Sequence, residues 1–358
     1  MRFAWLLSLA VLCPAQTAPL RVAIAGLVHG HVAGFLNNAV KRSDIQITAI
    51  FDPDPALVAS YGERYHIPQS GRFTDLARML DTVKPEAIAT FTATVDHPTV
   101  VEAAAARHIP VMMEKPLAVD MTAAHRIHSA SARTGIPVIV NYETTWYRSH
   151  HEIWTLFKDR KAAGAIRRMV AMDGHQGPKE IHVQPEFFAW LTDPAKNGAG
   201  AMFDFGCYGA NLMTWLMDNQ RPLKVTALAQ THKPAIYPNV DDDATILVQY
   251  PSTEGVIEAS WDWPFNRKDF EVYGQTGYAI ATGGDNLRVR LSSDGAEQVR
   301  ELPEMPPDEH DSIAYLTAVA RHRIQPSGLS SLENNLIVTE ILQAARESVR
   351  SGKTVALQ

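Results

Sequence analysis

The sequence contains only two cysteines in 358 residues, Cys13 and Cys207. So few thiols exclude the multi-disulfide framework that stabilises small secreted domains. Positive charge is also scarce: 33 Lys and Arg stand against 39 Asp and Glu, which gives a net charge of −6 with no basic stripe or tail. The electrostatic footprint of a nucleic-acid partner is therefore missing. No apolar run of about 20 residues follows the first two dozen positions, so nothing beyond the N-terminus is expected to span a bilayer.

The remaining composition is that of a folded globular protein, with 46% hydrophobic, 8% aromatic and 20% charged residues. Single hydrophobic cores stop growing near about 250–300 residues, so this length favours two domains. A single α/β barrel is the alternative that the length alone leaves open.

The first fifteen residues have the pattern of a secretory signal peptide. One positive charge at Arg2 precedes an apolar stretch from Phe3 to Leu12, and small residues follow at Cys13 and Ala15. This order predicts cleavage after Ala15 and an exported, periplasmic or secreted protein. A first core strand, a short anchor or lipidation at Cys13 are the alternatives. Cleavage changes the net charge from −6 to −7 and leaves Cys207 as the last cysteine, which excludes an intramolecular disulfide.

Short apolar runs alternate with helix-period segments from residue 20 to about 140. The predicted strands are 21–25, 45–51, 87–91, 111–113 and 138–140, and predicted helices include 75–80, 99–107 and 122–134. Strands that alternate with helices of this length indicate right-handed βαβ units. The sequence therefore predicts an α/β Rossmann domain with a doubly wound parallel sheet over residues 20–140.

Strand-like segments follow one another with few helices after residue 141. They are predicted at 167–172, 223–230, 244–250, 255–261, 270–273, 278–282 and 287–291, separated by glycine-rich turns, and two helices at 312–322 and 332–349 close the chain. This pattern predicts an α+β domain over residues 141–358, built on a large, open and mostly antiparallel sheet.

The first predicted strand runs into a glycine-containing turn in the place where dinucleotide-binding folds have G-x-G-x-x-G. Gly26 suits the tight turn, and Gly30 adds flexibility. Val28 stands where a second glycine lets the backbone approach the pyrophosphate, and His31 replaces the third small residue. The order of strand, turn and helix still predicts a cofactor loop at these positions, with His29 and His31 as possible phosphate contacts.

Asp52 ends the second predicted strand, 26 residues after Gly26. A carboxylate at this place accepts hydrogen bonds from an adenosine ribose, and its charge opposes a 2′-phosphate. The sequence therefore favours NAD over NADP as the cofactor. A structural Asp52-Pro53 turn is the alternative.

Residues 87–120 resemble a stretch of the Gfo/Idh/MocA family, the glucose–fructose-oxidoreductase-like proteins. Thr92 and His97 follow a predicted strand, an Ala-rich helix comes next, and a short strand leads into Glu114-Lys115-Pro116. The resemblance implies a Rossmann domain that binds a nicotinamide cofactor, with Thr92, His97, Glu114 and Lys115 as cofactor contacts, and hydride transfer on the CH–OH groups of sugars or polyols.

The second domain contains a further stretch that resembles the same family. Residues 198–211 are rich in glycine and place Asp204 four residues before Tyr208. Many relatives have a His at the position of Tyr208, but the glucose–fructose oxidoreductase branch has Tyr there, which changes the proton-transfer group and keeps the role. Asn211 stands where many relatives have Asp, and this departure leaves substrate handling open.

The residues themselves suggest how such a site works. Lys115 follows a parallel strand at its C-terminal end, where ligands bind in doubly wound sheets. Asp204 and Tyr208 at i and i+4 share one helix face, so a cluster of these three residues is predicted. A nearby ammonium group is expected to lower the pKa of Tyr208 and make it a general base. A structural Glu114–Lys115 pair and a core tyrosine form the alternative.

Other residues are weaker candidates. Trp146 and Arg148 follow the strand that enters the second domain and are predicted to bind the substrate together with the Lys115 cluster. Asp173, His175, His182 and the run Asp241–Asp243 lack a tight ligand spacing, so no metal site is predicted. A nucleophilic hydrolase is disfavoured, because no G-x-S-x-G occurs and Cys207 has no His nearby in the sequence.

The sequence thus predicts an exported two-domain oxidoreductase that binds NAD and a small carbohydrate, and a homo-oligomer is expected. Free nicotinamide nucleotide is not expected outside the cytoplasm, so the predicted cofactor is retained and recycled. Two alternatives stay open: a redox-neutral glycosidase or lyase that works by oxidation, elimination and reduction, and a carbohydrate-binding protein without enzymatic activity.

Overall fold

The computed structural model describes residues 18–357. The predicted signal peptide, including Arg2, Cys13 and Ala15, lies outside the described residues. Six parallel strands form the first sheet: β1 Leu20–Ala25, β2 Ile45–Phe51, β3 Arg72–Phe73, β4 Ala87–Thr90, β5 Val111–Glu114 and β6 Val138–Asn141. Their order is β3-β2-β1-β4-β5-β6. This order reverses between β1 and β4, as in dinucleotide-binding folds, and confirms the predicted Rossmann architecture.

The first sheet is covered on both faces by helices. They are α1 Val32–Ala39, α2 Pro55–Arg64, α3 Leu76–Val83, α4 His97–Ala105 and α5 Met121–Thr134. The strands are mostly apolar because both of their faces are buried, and all four residues of β4 and all four of β5 are buried. Aspartates cap several helix starts, among them Asp75 at α3 and Asp120 at α5.

Nine strands form the second sheet among the described residues. They are β7 Ile166–Gly174, β8 Lys224–Gln230, β9 Asp243–Gln249, β10 Glu254–Ser260, β11 Arg267–Gly274, β12 Tyr278–Thr282, β13 Leu287–Arg290, β14 Gln298–Val299 and β15 Val355–Ala356. The order is β14-β13-β12-β11-β7-β10-β9-β8-β15, and only the β7–β10 pair within it is parallel. The predicted large and mostly antiparallel sheet is therefore confirmed.

Helices cover one face of this second sheet. The remaining helices are α6 Arg148–Trp154, α7 Pro185–Leu191, α8 Pro194–Asn197, α9 Ala201–Asp204, α10 Gly206–Leu216, α11 Ser312–Ala320 and α12 Leu332–Ser351. Every residue of α10 is buried, because this helix lies between the sheet and α12. The opposite face stays open, and Leu228 of β8 and Leu247 of β9 are 73% and 49% exposed on it.

The chain returns to the first sheet after it has built the second. Ile313, Leu316 and Val319 of α11 belong to the same buried cluster as Val22 and Ile24 of β1. The two sheets are thus joined by packing as well as by the single connection after β6. In the described part of the chain no helix combines the length and the apolarity that a membrane crossing needs.

Candidate active site

A buried ion pair joins the two parts of the molecule. Lys115 follows the last residue of β5, and Asp204 is the last residue of α9. The Nζ of Lys115 donates to the backbone oxygen of Asp204 at 2.9 Å and to its carboxylate Oδ1. Trp261 Nε1 donates to the other carboxylate oxygen at 2.9 Å. Burial disfavours both charges, yet their mutual attraction outweighs it, so the pKa of Asp204 is lowered and that of Lys115 is raised. Both groups are therefore ionised at neutral pH.

Tyr208 lies beside this pair, as the sequence predicts. The predicted shared helix face is wrong, because Asp204 ends α9 whereas Tyr208 belongs to α10, and the two helices are separated at Phe205. Lys115 nevertheless meets both residues: its Nζ is 5.0 Å from the centroid of the Tyr208 ring. The predicted effect of the ammonium on the phenol is wrong. Burial raises the pKa of Tyr208 well above its ordinary value, and the Glu143 carboxylate adds to the shift. Tyr208 is 1% exposed, so desolvation of a phenolate outweighs the attraction of the lysine.

A second lysine approaches the same ring, and the sequence analysis missed it. Lys268 of β11 places its Nζ 4.9 Å from the Tyr208 centroid and pairs with the carboxylate of Glu143. The hydroxyl of Tyr147 donates to Glu143 Oε1 at 2.6 Å. Lys268 and Glu143 are 125 positions apart in the sequence, and no local motif connects them.

Asp173 is an unusual carboxyl on the covered face of the second sheet. It stands opposite Lys268 in the β7–β11 register and shares its face with Ala171, against which Gly209 of α10 packs. The side chain is 1% exposed, and its Oδ2 has no hydrogen-bond partner among the described residues. Burial raises the pKa of Asp173 well above its ordinary value, because desolvation disfavours the carboxylate.

The glycine-containing turn has the shape that the sequence predicts. Gly26 has φ +87°, and a Cβ on it would lie 2.5 Å from Thr92 Cγ2. This positive φ and the close approach of β4 explain why a glycine is needed here. The turn is further held by the backbone N–H of His29, which donates to the Phe91 oxygen at 3.0 Å.

A short helix of the second part covers this turn. Phe187 of α7 lies 2.9 Å from the position that a Cβ on Gly30 would take. Trp190 Nε1 donates to the backbone oxygen of Val28 at 3.2 Å, and the His29 ring lies 5.5 Å from the Trp190 ring. The residue that departs from the usual glycine pattern, Val28, is therefore a point of contact with α7, and sequence spacing gave no signal of it.

Asp52 is 2% exposed at the end of β2. One carboxylate oxygen accepts the N–H of Leu27 at 2.8 Å, and the other accepts the N–H of Asp54 at 2.9 Å. Burial raises the pKa of Asp52 despite these bonds. The carboxylate thus braces the glycine turn from the adenosine side of a dinucleotide fold, and each oxygen keeps a second lone pair for a ligand hydroxyl.

The segment after β4 contains buried polar atoms that have no hydrogen-bond partner among the described residues. Thr94 Oγ1 and His97 Nε2 are buried without a hydrogen bond among the described residues, whereas His97 Nδ1 bonds the Leu117 oxygen at 3.1 Å. They lie beyond the C-terminal end of β4, next to β1, at the point where the strand order reverses. This crevice is where dinucleotides bind in such sheets, and the orphaned atoms and the Gly26 turn fit a nicotinamide cofactor.

Glu114 is held by two side chains. Its Oε1 accepts from Asn141 Nδ2 at 2.8 Å, and its Oε2 lies 2.9 Å from His31 Nδ1. The predicted substrate residue Trp146 supports this arrangement, since its Nε1 donates to Asn141 Oδ1 at 3.1 Å. Arg148, also predicted to bind substrate, has other partners: its guanidinium pairs with Asp285 and Glu304. The structure therefore does not join Arg148 to the Lys115 cluster.

Several other residues named in the sequence analysis have structural roles. Asn211 is fully buried in α10 and donates to the Leu329 oxygen at 2.8 Å, so it anchors the segment before α12. The carboxylates of Asp241 and Asp242 each accept two backbone N–H groups. Cys207 is buried, and burial raises the pKa of its thiol. These environments explain the residues without a metal or a nucleophile.

The fold and site together define a Rossmann-type oxidoreductase with a second, sheet-based domain. Residues 20–142 match the oxidoreductase family with an NAD-binding Rossmann fold, and residues 157–280 match the GFO/IDH/MocA C-terminal domain. The chain belongs to the Gfo/Idh/MocA family, which confirms the resemblance of its motifs.

Individual relatives are distant but nearly full-length. Trans-1,2-dihydrobenzene-1,2-diol dehydrogenase of Macaca fuscata fuscata is 24% identical over 344 residues, covering 90% of this chain and 94% of that protein. The aldose–aldose oxidoreductase of Caulobacter crescentus, solved with glycerol, has a TM-score of 0.81 at 22% identity and covers 95% of this chain and 100% of that one. An inositol dehydrogenase homologue of Azotobacter vinelandii, solved with NAD+, has a TM-score of 0.81 at 17% identity, with 95% and 98% covered.

Proposed function

We propose that this protein transfers hydride between NAD and a carbinol carbon of a sugar, polyol or related diol. The observation that carries the proposal is the buried Lys115–Asp204 pair beside Tyr208, at the C-terminal end of β5. Two of the relatives described above act, by name, on a dihydrodiol and an aldose, and the third is named as a homologue of inositol dehydrogenase. Dihydrodiols, aldoses and inositol all have hydroxyl-bearing carbons that suit hydride chemistry.

Residues of the first sheet would hold the cofactor. The Gly26 turn would hold the pyrophosphate, Asp52 the adenosine ribose, and the segment from Thr92 to His97 the nicotinamide end. Bound NAD supplies the hydride acceptor, and everything else is done by side chains. The crevice between β1 and β4 supports this placement.

Lys115, Asp204 and Tyr208 each have a different role in the proton transfer. The Lys115 ammonium donates to the substrate oxygen and stabilises the negative charge that develops there. Asp204 keeps that ammonium charged and fixes its position through two contacts. Tyr208 carries its proton in the free protein, so it donates to a carbonyl oxygen during reduction and accepts the proton again during oxidation.

Retention of the nucleotide is a separate part of the proposal. The predicted export requires a cofactor that stays bound through repeated cycles. Helix α7 supports this, because Phe187 and Trp190 cover the turn that faces the pyrophosphate. Such a cover slows dissociation, since it must move before the nucleotide leaves.

The decisive experiment combines nucleotide analysis with a substrate panel. Purified full-length protein is extracted with acid, the nucleotide is identified by mass, and NADH formation is followed with aldoses, polyols and vicinal diols. We expect bound NAD(H), turnover of at least one polyhydroxylated compound, and loss of turnover in Lys115→Met. The exposed lysine at 353 provides the control, Lys353→Met. Absence of nucleotide in the extract, together with no binding of added NAD, contradicts the proposal.

Asp173 favours a second candidate, redox-neutral cleavage of a glycoside. A buried carboxyl with a raised pKa, on the covered face of the sheet, is suited to donate a proton to a departing glycosidic oxygen. Removal of hydride from a sugar carbon to bound NAD would acidify the neighbouring C–H, and loss of that proton would expel the aglycone. Water would then add to the resulting enone, and return of the hydride to the ketone would give free sugar with no net change in the cofactor. Incubation with a glycoside distinguishes the two: free sugar without net NADH favours cleavage, and net NADH favours the dehydrogenase.

A homo-oligomer also belongs to the proposal. The open face of the second sheet exposes Leu228 and Leu247, two apolar residues on neighbouring strands. Burial of this face in a second copy would remove apolar area from water. Light scattering of the purified protein tests it, and a monomer at micromolar concentration contradicts it.

A further inference from the structure

We infer that His29, His31 and Glu114 form a binding site for one divalent transition-metal cation of the zinc class. One ligand atom from each residue lies within 4.8 Å of the others, and within residues 18–357 this is the one group of three such side chains. Two of the residues are neighbours in the glycine turn, and the third lies 83 residues after His31 in the sequence. Sequence spacing therefore gave no sign of the cluster.

The donor set and its dimensions suit such an ion. Zinc binds imidazole nitrogen and carboxylate oxygen at about 2.0–2.2 Å, so two ligands of a tetrahedral ion lie roughly 3.3 Å apart. His31 Nδ1 and Glu114 Oε2 are already 2.9 Å apart. Two imidazoles with one carboxylate are the ligand set of several catalytic zinc and non-haem iron sites, which keep further positions open.

The three side chains already face one another through hydrogen bonds. His31 Nδ1 lies 2.9 Å from Glu114 Oε2, and His29 Nδ1 accepts the backbone N–H of His31 at 3.1 Å. A bound cation would take the place of the hydrogen that His31 Nδ1 and Glu114 Oε2 share.

An outer layer of residues orients the three ligands. Asn141 holds the second oxygen of Glu114 and is itself fixed by Trp146. The His29 ring packs against Phe187 at 4.8 Å and Trp190 at 5.5 Å, and these two rings also contact each other at 5.2 Å. Such partners are what gives a metal ligand its orientation, and the aromatic wall lowers the local dielectric constant around the ion.

The site explains the departure of the glycine turn from its usual pattern. A divalent ion with one carboxylate carries one remaining positive charge, and it lies where His31 replaces a small residue. At the glycine turn the positive charge of the ion would attract an anionic group of a ligand, as backbone N–H groups do in ordinary turns of this kind. This consequence for the cofactor phosphates depends on the proposed function, whereas binding of the ion itself does not.

The test measures metal directly, without nucleotide or substrate. Full-length protein is analysed for bound metals as purified, is then stripped with a chelator, and is titrated with Zn²⁺ by calorimetry and with Co²⁺ by visible absorption. Variants His31→Ala and Glu114→Gln remove one ligand each. His128→Ala is the matched control, because His128 is an exposed histidine on α5.

We expect one ion per chain and tetrahedral Co²⁺ absorption. Binding should be at least tenfold weaker in His31→Ala and Glu114→Gln, and unchanged in His128→Ala. The His31 side chain is 47% exposed, so His31→Ala is expected to fold, and its thermal unfolding is recorded alongside. No ion, or equal binding by all four proteins, overturns the inference. NAD binding and turnover by the metal-stripped protein are measured separately, so failure of the metal site and failure of the proposed function are told apart.

Discussion

Lys115 and Asp204 lie 89 residues apart in the sequence and form a buried ion pair, in which Lys115 Nζ also donates to the backbone oxygen of Asp204 at 2.9 Å. The side chains are only 5% and 8% exposed. The pair connects the end of a strand in the first sheet to a helix that covers the second. Its geometry thus couples the cofactor side of the cleft to the side where a substrate would lie.

Removal of one partner of this pair should destabilise the fold. Lys115→Met leaves the Asp204 carboxylate buried without its counter-charge, which costs roughly 3–5 kcal/mol in comparable pairs. We expect the free energy of unfolding to fall by that amount in urea denaturation. Lys158→Met is the control, because Lys158 pairs with an exposed Asp218 and its loss should cost at most about 1 kcal/mol. An equal effect in both variants would contradict this reading of the Lys115 pair.

Tyr208→Phe removes only the hydroxyl and keeps the ring, which packs edge-on against Tyr142 at 5.5 Å. We expect turnover to fall by about 10²–10⁴, the usual contribution of a proton-transfer group, with little change in unfolding. Tyr278→Phe, which alters a tyrosine bonded to the surface residue Glu297, should leave turnover unchanged.

The pH profile separates a proton-transfer role from a structural one. The raised pKa of Tyr208 keeps its phenol neutral around pH 6–9, so the reduction rate should be flat there in the native protein. Tyr208→His introduces a group with an unperturbed pKa of about 6.5, and reduction by this variant should decline as pH rises through its pKa. A flat profile in Tyr208→His, or a slope in the native protein that Tyr208→Phe retains, would assign the proton to another group.

Much of this site follows from local sequence, and the remainder depends on packing. Lys115 belongs to the Glu-Lys-Pro motif, and Asp204 and Tyr208 belong to the glycine-rich stretch 198–211, so sequence motifs indicate all three residues. Lys268 and Glu143 meet only because β11 pairs with β7 and folds over the turn after β6. No pattern in the sequence predicts the register in which β7 and β11 pair.

The error about Tyr208 has the same origin. The sequence motifs indicate that Lys115 and Asp204 are the charges near Tyr208, but the pKa of the phenol depends on how much water the surrounding rings exclude. Tyr142 and Phe205 pack against Tyr208, and the resulting burial outweighs the ammonium. The fold class was accessible because strand and helix periods are local. Very short strands such as β3 and β14, with two residues each, were missed because they contain no period.

Gly26→Ala should damage the cofactor turn. The residue has φ +87°, and the new Cβ would lie 2.5 Å from Thr92 Cγ2 and 2.6 Å from Thr92 N, a backbone atom that cannot easily yield. We expect a loss of about 2 kcal/mol or more in unfolding free energy, together with weaker NAD binding by calorimetry. Gly34→Ala is the matched control within α1: nothing lies within 4 Å of its new Cβ. That variant should gain about 0.5–1 kcal/mol, and a comparable loss in both would refute the local explanation.

Stability should fall in mild acid because of His97. Burial lowers the pKa of this imidazole from 6.5 to about 4. A group with a lowered folded-state pKa binds protons preferentially in the unfolded chain, so the folded state loses stability as pH falls from about 6.5 towards 4. The contribution between pH 7 and 4.5 is about 2–3 kcal/mol. Urea denaturation at the two pH values should show a smaller difference in His97→Gln than in the native protein, and an unchanged one in His128→Gln.

Trp190 provides a test of cofactor retention. Its indole N–H donates to the Val28 oxygen at 3.2 Å, and its ring flanks His29, so α7 closes the turn that faces the pyrophosphate. Trp190→Phe keeps an aromatic ring but loses the hydrogen bond, worth about 0.5–1.5 kcal/mol, and NADH should leave roughly two- to tenfold faster. Dissociation is followed by the decay of NADH fluorescence after dilution into excess NAD. Trp154→Phe is the control, since the Trp154 ring stacks at 4.7 Å on that of Trp215, a residue of α10. Equal dissociation rates in the native protein and Trp190→Phe would show that α7 does not retain the nucleotide, and this part of the proposal would then fail.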